Sequence, residues 1–449
     1  MSTSDASLAA SLSFWGKLRR RDDGDHEWHP LLYHMIDVAA VTRAMWESVL
    51  SPAARRETTI ALGLGDDQDG AASWVTLLAG LHDLGKASPS FQFQVSWATE
   101  AVKERLHEIG LRWPLVPQTR PHGTITAAVL PSILTQEFQV DERIASRLSA
   151  IVGGHHGIFP TTDSVQRVRS SSHGDYSWSV QRQSLALHLA QTFGVSRGNP
   201  PSRLDNASSM ELAGLVSVAD WIGSNEDHFP FAQRAANESV DGYATQAREN
   251  AERALKALGW TGWIPAKESL TFTELFSDLS PNPLQQAIVS ISQTLETPSL
   301  VIMEAPMGEG KTEAAMFLAD YLGATAGMRG CYFALPTQAT SNQMFGRVRD
   351  FLAKRYADNV VNLQLLHGHA GLSAEFQALR SNADHLLTPT YDGVEQDDTQ
   401  HGMAAAEWFT YRKRGLLAPF GVGTVDQAML AVLQTKHVFV RLFGLARKT

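Results

Sequence analysis

The residues in this chain whose types and spacing can do chemistry fall into two groups. The first is scattered through its first half: His34, the adjacent pair His82-Asp83, His122, the adjacent pair His155-His156, and Asp220. Imidazole and carboxylate donors in that mixture suit one or two transition-metal ions, which activate water against a phosphodiester. Asp83 has two oxygens and can bridge two metals, leaving the imidazoles to fill terminal positions. Two ions about 3.5–4 Å apart stabilise both the attacking and the leaving oxygen of such a bond. The second group starts at Ala305, where Ala-Pro-Met precede Gly308, Glu309, Gly310, Lys311 and Thr312. This is the pattern of a phosphate-binding loop, except that Ala305 replaces the usual first glycine. Its backbone N–H groups and the following helix N-terminus cradle phosphates, Lys311 pairs with the β- and γ-phosphates, and Thr312 ligates magnesium.

The elements that must position these residues change character along the chain. Residues 30–50 keep Leu31, His34, Val38, Val41 and Met45 at helical spacing, and residues 71–86 and 208–222 behave alike. Adjacent helical residues point about 100° apart, so His82 and Asp83 can face one cavity, whereas on a strand they would diverge. Lys86 lies one turn from His82, where it either meets a phosphate or stands in solvent. Ser217 lies one turn before Asp220 and is a candidate support for it. His155-His156 follows Gly153-Gly154 at the end of a further helical segment, and the serine-rich stretch 163–179 reads as a mobile loop.

Near residues 260–265 the helical pattern gives way to turns. After it, apolar runs at 299–303, 331–335 and 360–366 alternate with helical segments at 313–322 and 342–353. Strand–helix–strand order of this kind means a parallel sheet with helices on its faces. Residues 388–400 are polar and acidic and read as a loop. The expected architecture is a mainly α-helical domain over residues 1–265 followed by an α/β domain over residues 266–449.

Bulk composition narrows the class. A length of 449 residues implies two or three domains, and 43% apolar with 19% charged residues is ordinary for a globular protein. A net charge of −9 argues against a uniformly basic nucleic-acid coat. It does not exclude a nucleic-acid enzyme, because metal ions and a local Arg/Lys track neutralise phosphates. The single cysteine, Cys331, sits in an apolar run and reads as a small buried hydrophobe in a reducing cytosol. The first residues are small and polar, and no apolar region follows Lys17 and Arg19-Arg20-Arg21, so no signal peptide is expected. No apolar run reaches about eighteen residues, so no membrane span is expected and the location read from the sequence is cytoplasmic.

In order, the metal-ligand set matches the motif of HD-superfamily phosphohydrolases. More closely, Trp28-His-Pro-Leu, Leu81-His-Asp-Leu-Gly-Lys86, Gly154-His-His-Gly157 and Ala219-Asp-Trp-Ile-Gly223 resemble the CRISPR-associated helicase–nuclease of type I interference systems. The resemblance implies an HD domain with a di-metal centre that cuts single-stranded DNA, with Asp83 and Lys86 at the chemistry. It implies that His34, His82, Asp83 and Asp220 hold one ion, and that Asp83, His122, His155 and His156 hold the other. The metal is iron, manganese, nickel or cobalt, since the ligand types favour a transition metal over magnesium alone.

The second half is similar to the first RecA-like domain of superfamily-two helicases. Pro281-Asn-Pro-Leu-Gln285 resembles the glutamine motif that reads adenine, which with the phosphate loop implies ATP and Mg2+ as ligands. Leu335-Pro-Thr337-Gln-Ala-Thr340 and Gly423-Thr424-Val-Asp426-Gln427 resemble motifs that touch the DNA strand, with Arg347 assisting. His367-Gly-His369 has metal-like spacing, but the family places a strand-end loop there and the pair is rejected as ligands. The chain ends at Thr449, before the Asp-Glu-x-His motif that holds magnesium. The RecA-like domain is therefore expected to be incomplete, with weak ATP binding and no efficient hydrolysis or unwinding; the chain reads as a fragment, a split product or a truncated gene. In the intact protein the resemblance implies a 3′-to-5′ helicase, recruited by a crRNA-guided surveillance complex of Cascade type, in antiviral defence. Two other readings compete. An HD nucleotide phosphohydrolase would not need the phosphate loop or Leu335-Pro-Thr, and a non-catalytic docking fragment would not need the full ligand set.

Overall fold

The computed structural model describes residues 3–20, 26–231, 239–261, 263, 268–277, 279–296, 298–387, 402–410, 414–433, 435–446 and 448–449. They form two compact units. The first comprises Met1–Ser48, Arg55–Leu255 and Gln434–Phe443; the second comprises Val49–Ala54, Lys256–Leu433 and Gly444–Thr449. The units part at 255/256 rather than at residue 265, and a late segment belongs to the first of them.

The first unit is a helical array behind a small antiparallel hairpin, β1 (Trp15–Arg20) and β2 (His26–Pro30). Its site-bearing elements are α1 (Leu31–Ser48), α2 (Gln68–Gly80), α3 (His122–Phe138), α4 (Glu142–Gly153), α5 (Tyr176–Thr192) and α6 (Asn206–Gly223). α1 is buried on nearly all sides, from Leu31 to Trp46, as expected of a helix that is apolar all round. Asp67, Asp141, Asp175 and Asp205 each accept a backbone N–H at a helix start, so the sequence supplies its own caps.

Two sequence expectations change here. The helix expected over 71–86 ends at Gly80 and continues as a 3-10 turn, Leu81–Lys86. The Gly85 N–H donates to Thr126 Oγ1 at 2.9 Å instead of completing an α-helical bond. The stretch 163–179 is not one loop. It holds short helices at Thr162–Gln166 and Ser170–His173 and the start of α5, with Thr161 and Asp175 accepting cap bonds. Serine and threonine there terminate and cap helices, which composition alone reads as looseness.

The second unit carries α7 (Pro283–Ser292), α8 (Lys311–Thr325), β3 (Cys331–Leu335), α9 (Gln338–Arg355), β4 (Val360–Leu366), β5 (Gly402–Ala404) and β6 (Phe420–Thr424). The strands are parallel in the order β3-β6-β4-β5. Their core includes Phe345, Val361, Leu363 and Val422, each essentially excluded from solvent. Cys331 is part of that core, and burial pushes its thiol up to about 12, far from a nucleophile. The expected strand at 299–303 pairs with nothing among the described residues. Leu300 and Ile302 are exposed, while Val301 and Met303 pack against the apolar cluster that includes Ile288 and Phe317. Apolar alternation there marks a face, and a face does not create a ladder partner. The apolar run that ends the sequence is α10 (Val438–Leu445), in which Phe439 lies 5.2 Å from Phe159. The loop expected at 388–400 lies outside the described residues. No helix among the described residues is long and apolar enough to cross a membrane.

Candidate metal centre and phosphate loop

Three glycines bring the first group of residues together. A Cβ on Gly85 would collide with the His122 carbonyl oxygen and lie 2.7 Å from the Thr126 nitrogen. A Cβ on Gly123 would strike the Gly153 carbonyl, and one on Gly153 would strike the Gly123 carbonyl. The turn bearing His82-Asp83, the first turn of α3 bearing His122, and the end of α4 before His155-His156 therefore approach backbone to backbone. α1 adds His34 and α6 adds Asp220.

Asp83 is at the centre, with its side chain only 2% exposed. Its Oδ2 lies 3.1 Å from His34 Nε2 and 3.3 Å from His82 Nε2. Its Oδ1 lies 3.1 Å from His122 Nε2 and 3.5 Å from His155 Nε2. Asp220 Oδ1 completes the first side at 3.4 Å from His82 and 3.8 Å from His34. His156 Nε2 lies 2.8 Å from His122 Nε2 and completes the second. Thus all the sequence-expected ligands converge, and the two carboxylate oxygens of Asp83 face different sets of imidazoles.

The bonds behind these groups orient them. His82 Nδ1 donates to Ala79 O at 2.7 Å and His155 Nδ1 to Val152 O at 2.8 Å, which turns each Nε2 toward Asp83. His82 Nε2, His155 Nε2 and Asp83 Oδ1 are buried without a hydrogen-bond partner. Orphaned acceptors in such a donor set fit one or two bound cations. Ser217 Oγ donates to His155 O at 2.8 Å, so it supports that histidine rather than Asp220. Sequence reasoning missed Thr126 and Ser224. Thr126 Oγ1 donates to His82 O at 3.0 Å while accepting from Gly85, and Ser224 Oγ donates to Asp220 Oδ1 at 2.9 Å. Each stands four residues after a ligand, His122 and Asp220, the helical spacing that could have found them.

The electrostatics follow from burial and mutual contact. Burial pushes His34 down to about 3 and His155 well below the imidazole range. Burial also opposes charge on His82, but Asp83 and Asp220 outweigh it and raise that imidazole to about 10. Burial disfavours the Asp83 carboxylate, yet His82, Lys86 and His122 together hold it well below the usual range. Lys86 Nζ lies 2.6 Å from Asp83 Oδ2, 3.0 Å from Gly16 O and 5.2 Å from the centre of the Phe91 ring. It is therefore tied to the carboxylate rather than standing in solvent.

The second group also converges. Gly308 and Gly310 have φ of +87° and +67°, which an L side chain resists, so the loop needs glycine at both. Gly310 caps α8, whose first residues are Lys311 and Thr312. Lys311 Nζ donates to the Ala305 carbonyl and to Pro306 O at 2.7 Å. Asn282 Nδ2 donates to Glu309 O at 3.0 Å, and Gln285 Nε2 to Gly310 O at 3.3 Å. Gln285 Oε1 accepts from Asn282 N in the capping box of α7, so one end of this amide fixes the helix start and the other holds the loop.

The expected strand contacts fare unevenly. Thr337 and Thr340 are exposed just beyond β3, but their hydroxyls form the capping box of α9. Arg347 pairs with Glu313 at 2.5 Å, and Thr424 is buried at the end of β6. His367 and His369 bond the amide oxygens of Asn342 and Gln338, each at 2.8 Å.

Residues 15–229 match the family model described as Cas3, HD domain. The CRISPR-associated endonuclease/helicase Cas3 of Thermus thermophilus is 38% identical over 445 residues, covering 98% of this chain and 45% of the relative. Among solved structures, a "CRISPR-associated protein" superposes with a TM-score of 0.83 at 42% identity, over 99% of this chain and 48% of that one. A chain in a "CRISPR RNA-guided surveillance complex, pre-nicking" matches with a TM-score of 0.64 at 30% identity, over 97% and 43%. The chain spans about half the length of the curated relatives it matches.

If backbone contact at Gly85 sets the site, Gly85→Ala must push the turn away from α3. The variant is expected to lose more than about 2 kcal/mol of unfolding free energy in a urea titration. It should also bind manganese more weakly. An unchanged urea midpoint would show that the turn and α3 can move apart freely.

Proposed function

Because the chain belongs to the Cas3 family, we propose that its first unit is a metal-dependent nuclease acting on single-stranded DNA. One observation carries this reading: the two oxygens of the buried Asp83 carboxylate face separate sets of donors. In it His34, His82, Asp83 and Asp220 hold one ion, and Asp83, His122, His155 and His156 hold the other. The ions are iron, manganese, nickel or cobalt, and when bound they activate water and offset charge on the scissile phosphate. Asp83 keeps the two binding positions adjacent. Lys86 presents its ammonium at the edge of that carboxylate, where it meets a phosphoryl oxygen of the substrate. His122 and His156 form the more open side, since His34, His82 and His155 are almost wholly excluded from solvent.

In the second unit we propose that ATP binds with Mg2+ at Gly308, Glu309, Gly310, Lys311 and Thr312, with Gln285 holding the loop from behind. Strand contact there falls to Thr337, Thr340 and Arg347, the exposed members of the expected set. In a longer Cas3 protein, this unit belongs to an ATP-driven 3′-to-5′ helicase working in the cytoplasm. The likeness to a chain in a surveillance complex supports recruitment by such a complex in antiviral defence.

The metal-loaded chain is expected to cut circular single-stranded DNA. Hydrolysis of free nucleotides with the DNA left intact would overturn the reading in favour of a nucleotide phosphohydrolase. Asp83→Ala removes a donor from both positions and is expected to abolish cleavage even at saturating metal; retained cleavage would contradict the bridging role. Lys311→Ala should leave ATP-independent cutting unchanged, and a parallel loss would show that the phosphate loop governs the metal site.

A further inference from the structure

The metal centre has a more open side, and the sequence around it is unlike the chain's acidic average. His122 and His156 stand at that side. The segment leading into His122, residues 110–121, carries Arg112 and Arg120 and no Asp or Glu. Neither arginine makes an ion pair among the described residues, and Arg120 Nε is buried without a hydrogen-bond partner. The Arg120 backbone is clamped on Ser90, its N–H donating to Ser90 Oγ at 2.8 Å and its carbonyl accepting from it at 3.2 Å. The next residue, Phe91, has its ring 5.3 Å from the His122 ring and 5.2 Å from Lys86 Nζ. Arg120 is therefore tied to the same short segment that touches His122 and Lys86.

Apolar side chains stand in the open on the Arg120 segment and just after His156. Farther out on the Arg120 segment, Leu115 and Val116 are 104% and 82% exposed. Two residues after His156, Ile158 is 67% exposed. Gln118 N donates to Ser171 O at 2.9 Å, which fastens the segment to the short helix Ser170–His173. Bare aliphatic groups next to unpaired guanidinium groups suit a polymer with alternating anionic and flat apolar parts. A duplex hides its base faces, whereas a single strand presents both phosphates and unstacked bases.

We propose that residues 112–120 and Ile158 form the lip that receives a single nucleic-acid strand at the metal centre. Arg120 grips the phosphate next to the scissile one, Arg112 grips one farther along, and Leu115, Val116 and Ile158 carry splayed bases. This deepens the nuclease reading and rests on it. It goes further by separating the groups that hold the strand from those that cut it.

The test reads binding and chemistry separately, using the full metal-loaded chain. Binding of a phosphorothioate-linked oligo(dT) is followed by fluorescence anisotropy across a salt series, and hydrolysis is followed on bis(p-nitrophenyl) phosphate, which is too small to reach the lip. Arg120→Ala is expected to weaken oligo(dT) binding about tenfold. It should also make the slope of log affinity against log salt shallower by about 0.7, the single-strand value for one lost phosphate contact. The double variant Arg112→Ala/Arg120→Ala should roughly double that change, and Leu115→Ser/Val116→Ser should weaken binding with no change in slope. All three should hydrolyse the small diester at the parent rate, which also shows that they are folded. Unchanged affinity and slope in the double arginine variant, with small-diester hydrolysis intact, would overturn the lip while leaving the nuclease reading standing. Absence of small-diester hydrolysis in the parent protein would instead strike at the nuclease reading itself.

Discussion

Backbone contact at Gly85, Gly123 and Gly153 is the constraint on which the first unit depends. No side chain separates the Leu81–Lys86 turn from the start of α3, or α3 from the end of α4. The histidines that follow or precede these contacts have no choice of neighbour. They meet around Asp83, and carbonyls at Ala79 and Val152 fix which imidazole nitrogen each presents. The result is a buried carboxylate surrounded by rings whose charge burial alone would suppress. Asp83 and Asp220 both face His82 Nε2 and favour positive charge there, the position a bound cation would take.

Much of this was legible from residue type and order, because a His-Asp and a His-His pair set in order among His34, His122 and Asp220 match a metal-ligand motif. The convergence of His34, His82, Asp83, His122, His155, His156 and Asp220 is what those pairs implied. The details were hidden because they depend on tertiary contact. Thr126 breaks the α2 helical pattern by taking the Gly85 N–H, a bond across 41 positions that local periodicity cannot register. Lys86 could be a phosphate ligand or a solvated residue by spacing alone, and the fold decides by laying it on Asp83. The serine-rich stretch shows the opposite error, since its polar residues act as caps once the helices exist.

The second unit shows the same division between chemistry that is local and geometry that is not. A phosphate loop is a short-range device: Gly308 and Gly310 take left-handed backbone, and α8 starts at the next residue. Its pattern is therefore readable in a single sequence. The expected strand contacts were longer-range claims, and they separated by burial and pairing. Thr424 is buried at the end of β6, Arg347 is exposed beside Glu313, and Thr337 and Thr340 are exposed at the carboxyl end of β3. That edge is where ligands of open parallel sheets bind. Residues 299–303 show what alternation leaves out, since a one-sided apolar face can form while the strand has no neighbour.

The central claim is that Asp83 joins two metal positions, and magnetic resonance addresses it without any DNA. The chain loaded with Mn2+ should take up two ions, and its electron paramagnetic resonance spectrum should be that of an exchange-coupled pair, because a bridging carboxylate couples their spins. A spectrum of magnetically isolated manganese, or a single ion bound at saturation, would contradict the account.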